Sequence, residues 1–171
     1  YYNFWKDAKN PKGLWRRTSL GEYRKAEPKW DIILDLDALA KTENESWVWH
    51  GARILKAGGY RHVLINLSRG GADASIYREF DLETRRFVED GFKLPEAKGG
   101  LSWIDKDHVY VSTDFGPGSM TTSGYPRITK LWDRGTPLAQ AKTVYEGQAT
   151  DLQPLDLHRL PHTTDGALRR R

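Results

Sequence analysis

The sequence predicts an all-β chain built from four-stranded antiparallel units, with short helical segments near the N-terminus, and three observations predict it. From residue 45 onward one short alternating run follows another: "SWVWH", "HVLINLS", "SIYREFDL", "RFVEDG", then "LSWID", "HVYVSTDF", "RITKLWD" and "KTVYEG". The intervening strings, such as "KAGGYR", "RGGADA", "DLETR" and "GPGSMTTSGYP", have turn composition. The order also recurs. His62 and Val63 return as His108 and Val109, 46 residues on, and Phe80 and Asp81 as Trp132 and Asp133, 52 residues on. An insertion of six residues in the central loop of the second unit accounts for the difference.

Residues 1 to 44 precede the repeats and read as an incomplete unit with short helices. "YYNFWKD" and "LWRRT" are aromatic strand candidates separated by the turn cluster "AKNPKG". In "SLGEYRKAE", Ser19 and Glu22 have capping-box spacing for a short helix, weakened by Gly21, and Pro28 is expected to end it. Trp30 to Leu34 is strand-like and leads into "DALAK", where Asp35 or Asp37 can cap one helical turn. The same two carboxylates could be imagined as an acid and base pair or as metal ligands. Capping is favoured, because no His or further acid follows at ligand spacing.

A period in the forties or fifties with four strands per unit is the signature of propeller blades. The predicted fold is therefore a partial β-propeller, with blades at 45–98 and 99–150 and an atypical tail at 151–171. A blade has two apolar faces and can cover neither alone, so it must stack on a neighbour. In "HVLINLS", alternation puts Val63, Ile65 and Leu67 on one side and His62, Leu64 and Asn66 on the other. The apolar trio is the expected blade-to-blade face. Strand Ile76 to Leu82 should turn at Glu83 and Thr84 into Arg86 to Glu89, with Arg85 where glycine is usual. Two units and part of a third cannot close a ring, so the chain either leaves strand edges open, where it would self-associate, covers them with a partner, or is a fragment of a longer protein.

Composition excludes several functions. The 171 residues carry a net charge of +4, and the densest basic cluster is Leu168 to Arg171 at the very end, so no nucleic-acid partner is expected. There is no cysteine, hence no disulfide framework and no thiolate chemistry. No apolar run approaches membrane-spanning length, and "YYNFWKDAKNPKG" has no secretory-signal features. The expectation is a soluble chain without a membrane partner, cytoplasmic, or periplasmic if a signal peptide has been removed.

The strings "YYNFWKDAKNPKGLWRRTSLGEYRKAEPKWDIILDLDALA", "WVWHGARIL", "LSRGGADASIYREFDLETRRFVEDGFKLPEAKGGLSWID" and "TDFGPGSMTTSGYPRITKLWDRGTPL" resemble the early propeller domain of the prolyl oligopeptidase family of serine peptidases. The resemblance covers roughly residues 1 to 150. It implies a propeller that restricts access of short peptides to an α/β-hydrolase domain, which follows in the chain and carries a Ser, Asp and His triad. It implies no cofactor.

Within this chain no catalytic residue is assigned. The elbow G-x-S-x-G is absent, and "GPGSM" places Ser119 out of position in an inserted loop. His158 and His162 are four apart, but Pro161 breaks a helix there and no third ligand follows, so no metal site is expected. His50, His62 and His108 fall at strand ends and read as structural. "GGADA" from Gly70 reads as a tight loop rather than an anion site. Tyr1, Tyr2, Phe4, Trp5 and Trp15 are candidates for docking a hydrolase domain, with an ordinary propeller core as the plainer alternative. The expected function is the noncatalytic gating portion of a prolyl oligopeptidase-like peptidase. The alternative is a stand-alone propeller-like interaction module.

Overall fold

The structure is a computed structural model that describes residues 1 to 152 together with 156, 157 and 160. The described residues form three antiparallel sheets, and the fold is a partial β-propeller. By compactness they divide into two units. One comprises Tyr1–His50 with Leu67–Ala72, and the other Gly51–Asn66 with the described residues from Asp73 onward.

The first unit holds β1 (Tyr2–Trp5), β2 (Leu14–Arg17) and β3 (Asp31–Asp35), paired in that order. Asp7 closes the β1–β2 turn by accepting the backbone N–H groups of Lys9 and Asn10, the local Asx geometry that an "AKNPKG" cluster provides. The helix α1 (Leu20–Tyr23) starts as the spacing predicts, with the Ser19 side chain accepting from the Glu22 backbone N–H. It stops at Tyr23, before Pro28, and the Glu22 carboxylate accepts from Lys25 Nζ and from the Lys29 backbone N–H beyond the helix end. The second helix, α2 (Leu36–Glu43), is longer than the single turn expected. Asp35 caps it through the Ala38 N–H, and Asn44 ends it at φ 52°, the left-handed conformation asparagine tolerates. Asp37 accepts the backbone N–H groups of Lys12 and Gly13. Both carboxylates are thus committed to backbone groups.

The middle sheet runs β4 (Trp47–Ile54), β5 (His62–Arg69), β6 (Ser75–Asp81) and β7 (Arg86–Phe87), with β8 (Lys93–Ala97) also on β6. The outer strand is broken. Where one run from Arg86 to Glu89 is expected, β7 has two residues and the chain loops out before rejoining β6 as β8. The cause is Glu79, which sits mid-strand with its side chain inward and takes the Phe92 N–H that a continuous ladder would use. Arg85 does occupy the left-handed region, at φ 56°.

The third sheet runs β12 (Lys142–Glu146), β11 (Ile128–Asp133), β10 (His108–Ser112) and β9 (Gly100–Asp105). It pairs His108 with Asp133, and Val109 with Trp132 and Trp103. Within the second unit these two sheets share one core of Leu55, Leu64, Tyr77, Phe92 and Leu94 with Leu101, Trp103, Val109, Val111 and Trp132. Phe92 meets Trp103 and Trp132 edge-on at 5.9 and 5.2 Å, and each such apolar side chain contributes about 1.5–3 kcal/mol on burial. Val63, Ile65 and Leu67 are fully buried, and Leu64 from the opposite side, equally buried, joins the core with the third sheet.

Candidate functional site

Two clusters and one cavity concentrate the chemistry, each within a single unit. In the second unit Glu79 is fully buried, and its two carboxylate oxygens are saturated. Arg134, from the turn after β11, donates to Oε2 at 3.0 Å and to Oε1 at 2.8 Å. The Phe92 N–H donates to Oε2 at 2.8 Å, and His62 Nδ1 lies 3.1 Å from Oε1. Arg134 is held in turn by the Lys106 carbonyl and stacks over Phe92, 4.9 Å from its centroid. This arrangement fixes two sheets together. It offers no reaction, because both carboxylate oxygens are satisfied and the carboxylate is out of reach of solvent.

The other histidines are likewise engaged. His50 Nε2 lies 2.7 Å from Ser68 Oγ, a serine–histidine pair whose hydroxyl is buried and so presents no nucleophile to a substrate. His108 Nδ1 contacts Asp105 at 2.8 Å. Burial works against ionisation of Asp105, but the Asp107 N–H and the His108 ring outweigh it and hold its carboxyl below the ordinary value. Ser119 is also buried, with its hydroxyl 2.6 Å from the Gly116 carbonyl and accepting from the Phe115 N–H, so the inserted loop uses it as a turn residue. In the Gly70 loop the N–H groups of Gly70 and Ala72 bind the carbonyls of Ser46 and Arg69, which leaves them unavailable to an anion. His158, His162 and the basic end from Leu168 to Arg171 lie outside the described residues. Among the described residues no three metal-ligating side chains converge, and no helix is long and apolar enough to cross a membrane.

The five N-terminal aromatics do not form one surface. Trp15 is buried, stacked on Tyr2 at 5.4 Å and tilted against Trp49, on which Phe4 also stacks at 4.8 Å. Trp15 is thus core of the first unit, with Phe4 and Trp49 half-buried beside it. Tyr1, Tyr2 and Trp5 stay exposed, Trp5 at 44%. Arg16 lies between Trp5 and Trp30, 4.6 and 4.4 Å from their centroids, a contact that sequence reading missed because Trp30 is 14 residues away. Burial draws the Arg16 guanidinium below its ordinary value, partly offset by Asp7.

A cavity of about 430 Å³ in the second unit is lined by Arg53 and Lys98, by Asp73 and Asp156, and by Ser112 and Tyr125. Its two cations are balanced by two carboxylates, so its lining has no net charge with which to select an ion. Arg53 is in addition turned to the Leu101 carbonyl and the Tyr77 ring.

A five-stranded and a four-stranded antiparallel sheet that share one core, tied by a buried ion pair and without a catalytic constellation among the described residues, define a propeller-type scaffold. The chain belongs to the family described as the prolyl oligopeptidase N-terminal β-propeller domain, whose family model matches residues 1–165. It is 44% identical over 150 residues to an uncharacterized peptidase of Sinorhizobium fredii, covering 88% of this chain and 20% of that protein. It is 35% identical over 153 residues to an uncharacterized peptidase of Rickettsia prowazekii, covering 85% and 21%. Among solved structures, a post-proline cleaving enzyme from Rickettsia typhi superposes at a TM-score of 0.79 with 36% identity, over 85% of this chain and 22% of that one. A prolyl endopeptidase at 12% identity and a TM-score of 0.62 shares the fold alone. The chain thus spans about a fifth of the length of the curated relatives it matches.

Proposed function

We propose that this propeller segment gates a prolyl oligopeptidase-type serine peptidase, admitting short peptides to an α/β-hydrolase domain and excluding folded proteins. The observation that carries the reading is the family match along nearly the whole chain, combined with a 36%-identical solved relative that is a post-proline cleaving enzyme. The physics agrees. A ring of blades excludes by size, which needs rigid walls and no reactive groups, and the described residues supply a dry inter-sheet core with every histidine engaged. The catalytic serine, its elbow and its Asp and His partners are assigned to the hydrolase domain. Tyr2 and Trp5 are proposed as docking side chains, since exposed aromatics serve as interface anchors, whereas Trp15 is buried and Phe4 is half-buried against Trp49. The strands that end their sheets, β1 and β12, are proposed as self-association edges of the isolated chain. The cytoplasm is the compartment that fits this reading, or the periplasm after removal of a signal peptide.

Reading the gene beyond the codon for Arg171 tests the assignment: a G-x-S-x-G elbow followed by Asp and then His is expected. A stop codon with no companion gene would turn the reading to a stand-alone interaction module. The 171-residue chain itself should leave proline-containing chromogenic peptides intact and should not react with a fluorophosphonate serine probe. Labelling of any serine would overturn the noncatalytic assignment.

A further inference from the structure

The insertion that lengthens the second repeat is an ordered loop, and its end forms one wall of the cavity in the second unit. Ser119 is buried and fastens the start of the loop, its hydroxyl accepting the Phe115 N–H and donating to the Gly116 carbonyl. The end is tied by the Thr121 N–H to the Tyr125 carbonyl at 2.7 Å, by a bridge between Met120 and Pro126, and by Arg127 Nε to the Gly118 carbonyl at 2.6 Å. Tyr125 and Pro126 therefore meet the cavity as a fixed face.

Charges of opposite sign stand on the other walls. Arg53, near the end of β4, is held in place: its Nη1 donates to the Leu101 carbonyl, its guanidinium lies 5.5 Å from the Tyr77 centroid, and its own carbonyl accepts Trp103 Nε1 at 2.8 Å. Gly100 keeps the approach to it open, since a side chain there would begin 3.8 Å from Arg53 Nη1 and 3.3 Å from the Tyr77 hydroxyl. Lys98 precedes β9, with Nζ 5.8 Å from the Tyr125 ring, and Asp73 lies between β5 and β6. Both are exposed, both line the cavity, and neither side chain forms a hydrogen bond or ion pair among the described residues.

We infer that this cavity binds a small zwitterion, an α-amino acid or short peptide with both termini free, taking its carboxylate on Arg53 and Lys98 and its ammonium on Asp73. A lining without net charge concentrates neither anions nor cations, but one that carries both signs at separate points is complementary to a molecule that does the same. The planar Arg53 fork, with one of its five N–H donors used by the Leu101 carbonyl, suits a carboxylate, and Lys98 adds a point charge. Tyr125 and Pro126 give the ligand's side chain an apolar face. The inference depends on these side chains alone and holds whether or not the chain gates a peptidase.

The test titrates the full 171-residue chain with the dipeptide glycyl-leucine and follows backbone amide chemical shifts by NMR. Saturable binding with a Kd of about 1 mM or tighter is expected, with the shifts centred on Lys98, Gly99, Gly100 and Tyr125. N-acetyl-glycyl-leucine and glycyl-leucine amide, which each lack one charge, should bind at least about tenfold more weakly. Asp73→Asn should weaken glycyl-leucine by a similar factor and leave the acetylated form unchanged, whereas Lys98→Gln should weaken glycyl-leucine and spare the amide. Neither substitution removes a hydrogen bond among the described residues, and unchanged shifts of the inter-sheet core verify the fold of each variant. Absence of saturation at about 10 mM, equal affinity for the blocked forms, or binding indifferent to both substitutions would overturn the site.

Discussion

The three-stranded sheet of the first unit and the sheet pair of the second reach burial by different routes. In the first, side chains stack on one another. Tyr2 lies on Trp15, Phe4 on Trp49, and Arg16 between two indoles, while Trp5 and Ile32 keep 44% and 48% of their surface exposed. In the second, two sheets face each other, and Leu64, Leu101, Val109 and Val111 lose all exposure. The difference shows what two facing sheets gain from each other. The sheets of the second unit share an aliphatic core and can even shelter a carboxylate, whereas the first unit relies more on aromatic and cation–π contacts that leave Tyr2 and Trp5 exposed.

The comparison can be broken most forcefully at Glu79. Glu79→Ala leaves the Arg134 guanidinium and the Phe92 N–H without their buried acceptor, and should cost about 3–5 kcal/mol in urea unfolding. The Glu79→Ala/Arg134→Ala double variant should lose less than the sum of the single changes. Additive losses would mean that the pair does not act as a unit. A smaller effect is expected in the first unit. Arg16→Ala removes two cation–π contacts and the hydrogen bond to Asn3, and should cost about 1–2 kcal/mol by the same measurement. A loss matching that of Glu79→Ala would show that the exposed sheet depends on its charged contact as heavily as the buried pair does.

The smallest effect concerns pH. Arg61 hydrogen-bonds Asp81 and, against burial and with help from the Glu83 and Thr84 N–H groups, holds its carboxyl below the ordinary value. A carboxyl depressed by folding stabilises the folded state above the ordinary carboxylate range, and that stabilisation is lost as pH falls through it to the folded value. Arg61 is 45% exposed, so the screened contribution is under about 1 kcal/mol. Asp81→Asn should flatten the acid limb of the stability profile by that amount, as followed by chemical denaturation between pH 7 and the acid transition. An unchanged acid limb would assign the acid sensitivity to other carboxylates.

Much of this architecture was legible because it is local. Strand alternation from residue 45, the Ser19 and Asp35 caps, and the strained turn at Arg85 each depend on a few consecutive residues. The misreadings share a different cause. The break in the outer strand and the split of the N-terminal aromatics into buried and exposed both depend on what packs against the element.

The sequence by itself determined the β class and the family, since alternation, turn composition and long matching strings are properties of the chain read in order. Only the tertiary structure decided that Glu79, which alternation alone would leave looking like any polar strand residue, is interior. Its partner Arg134 arrives 55 residues later from another sheet, and a carboxylate can leave water only where such a partner is already held in place.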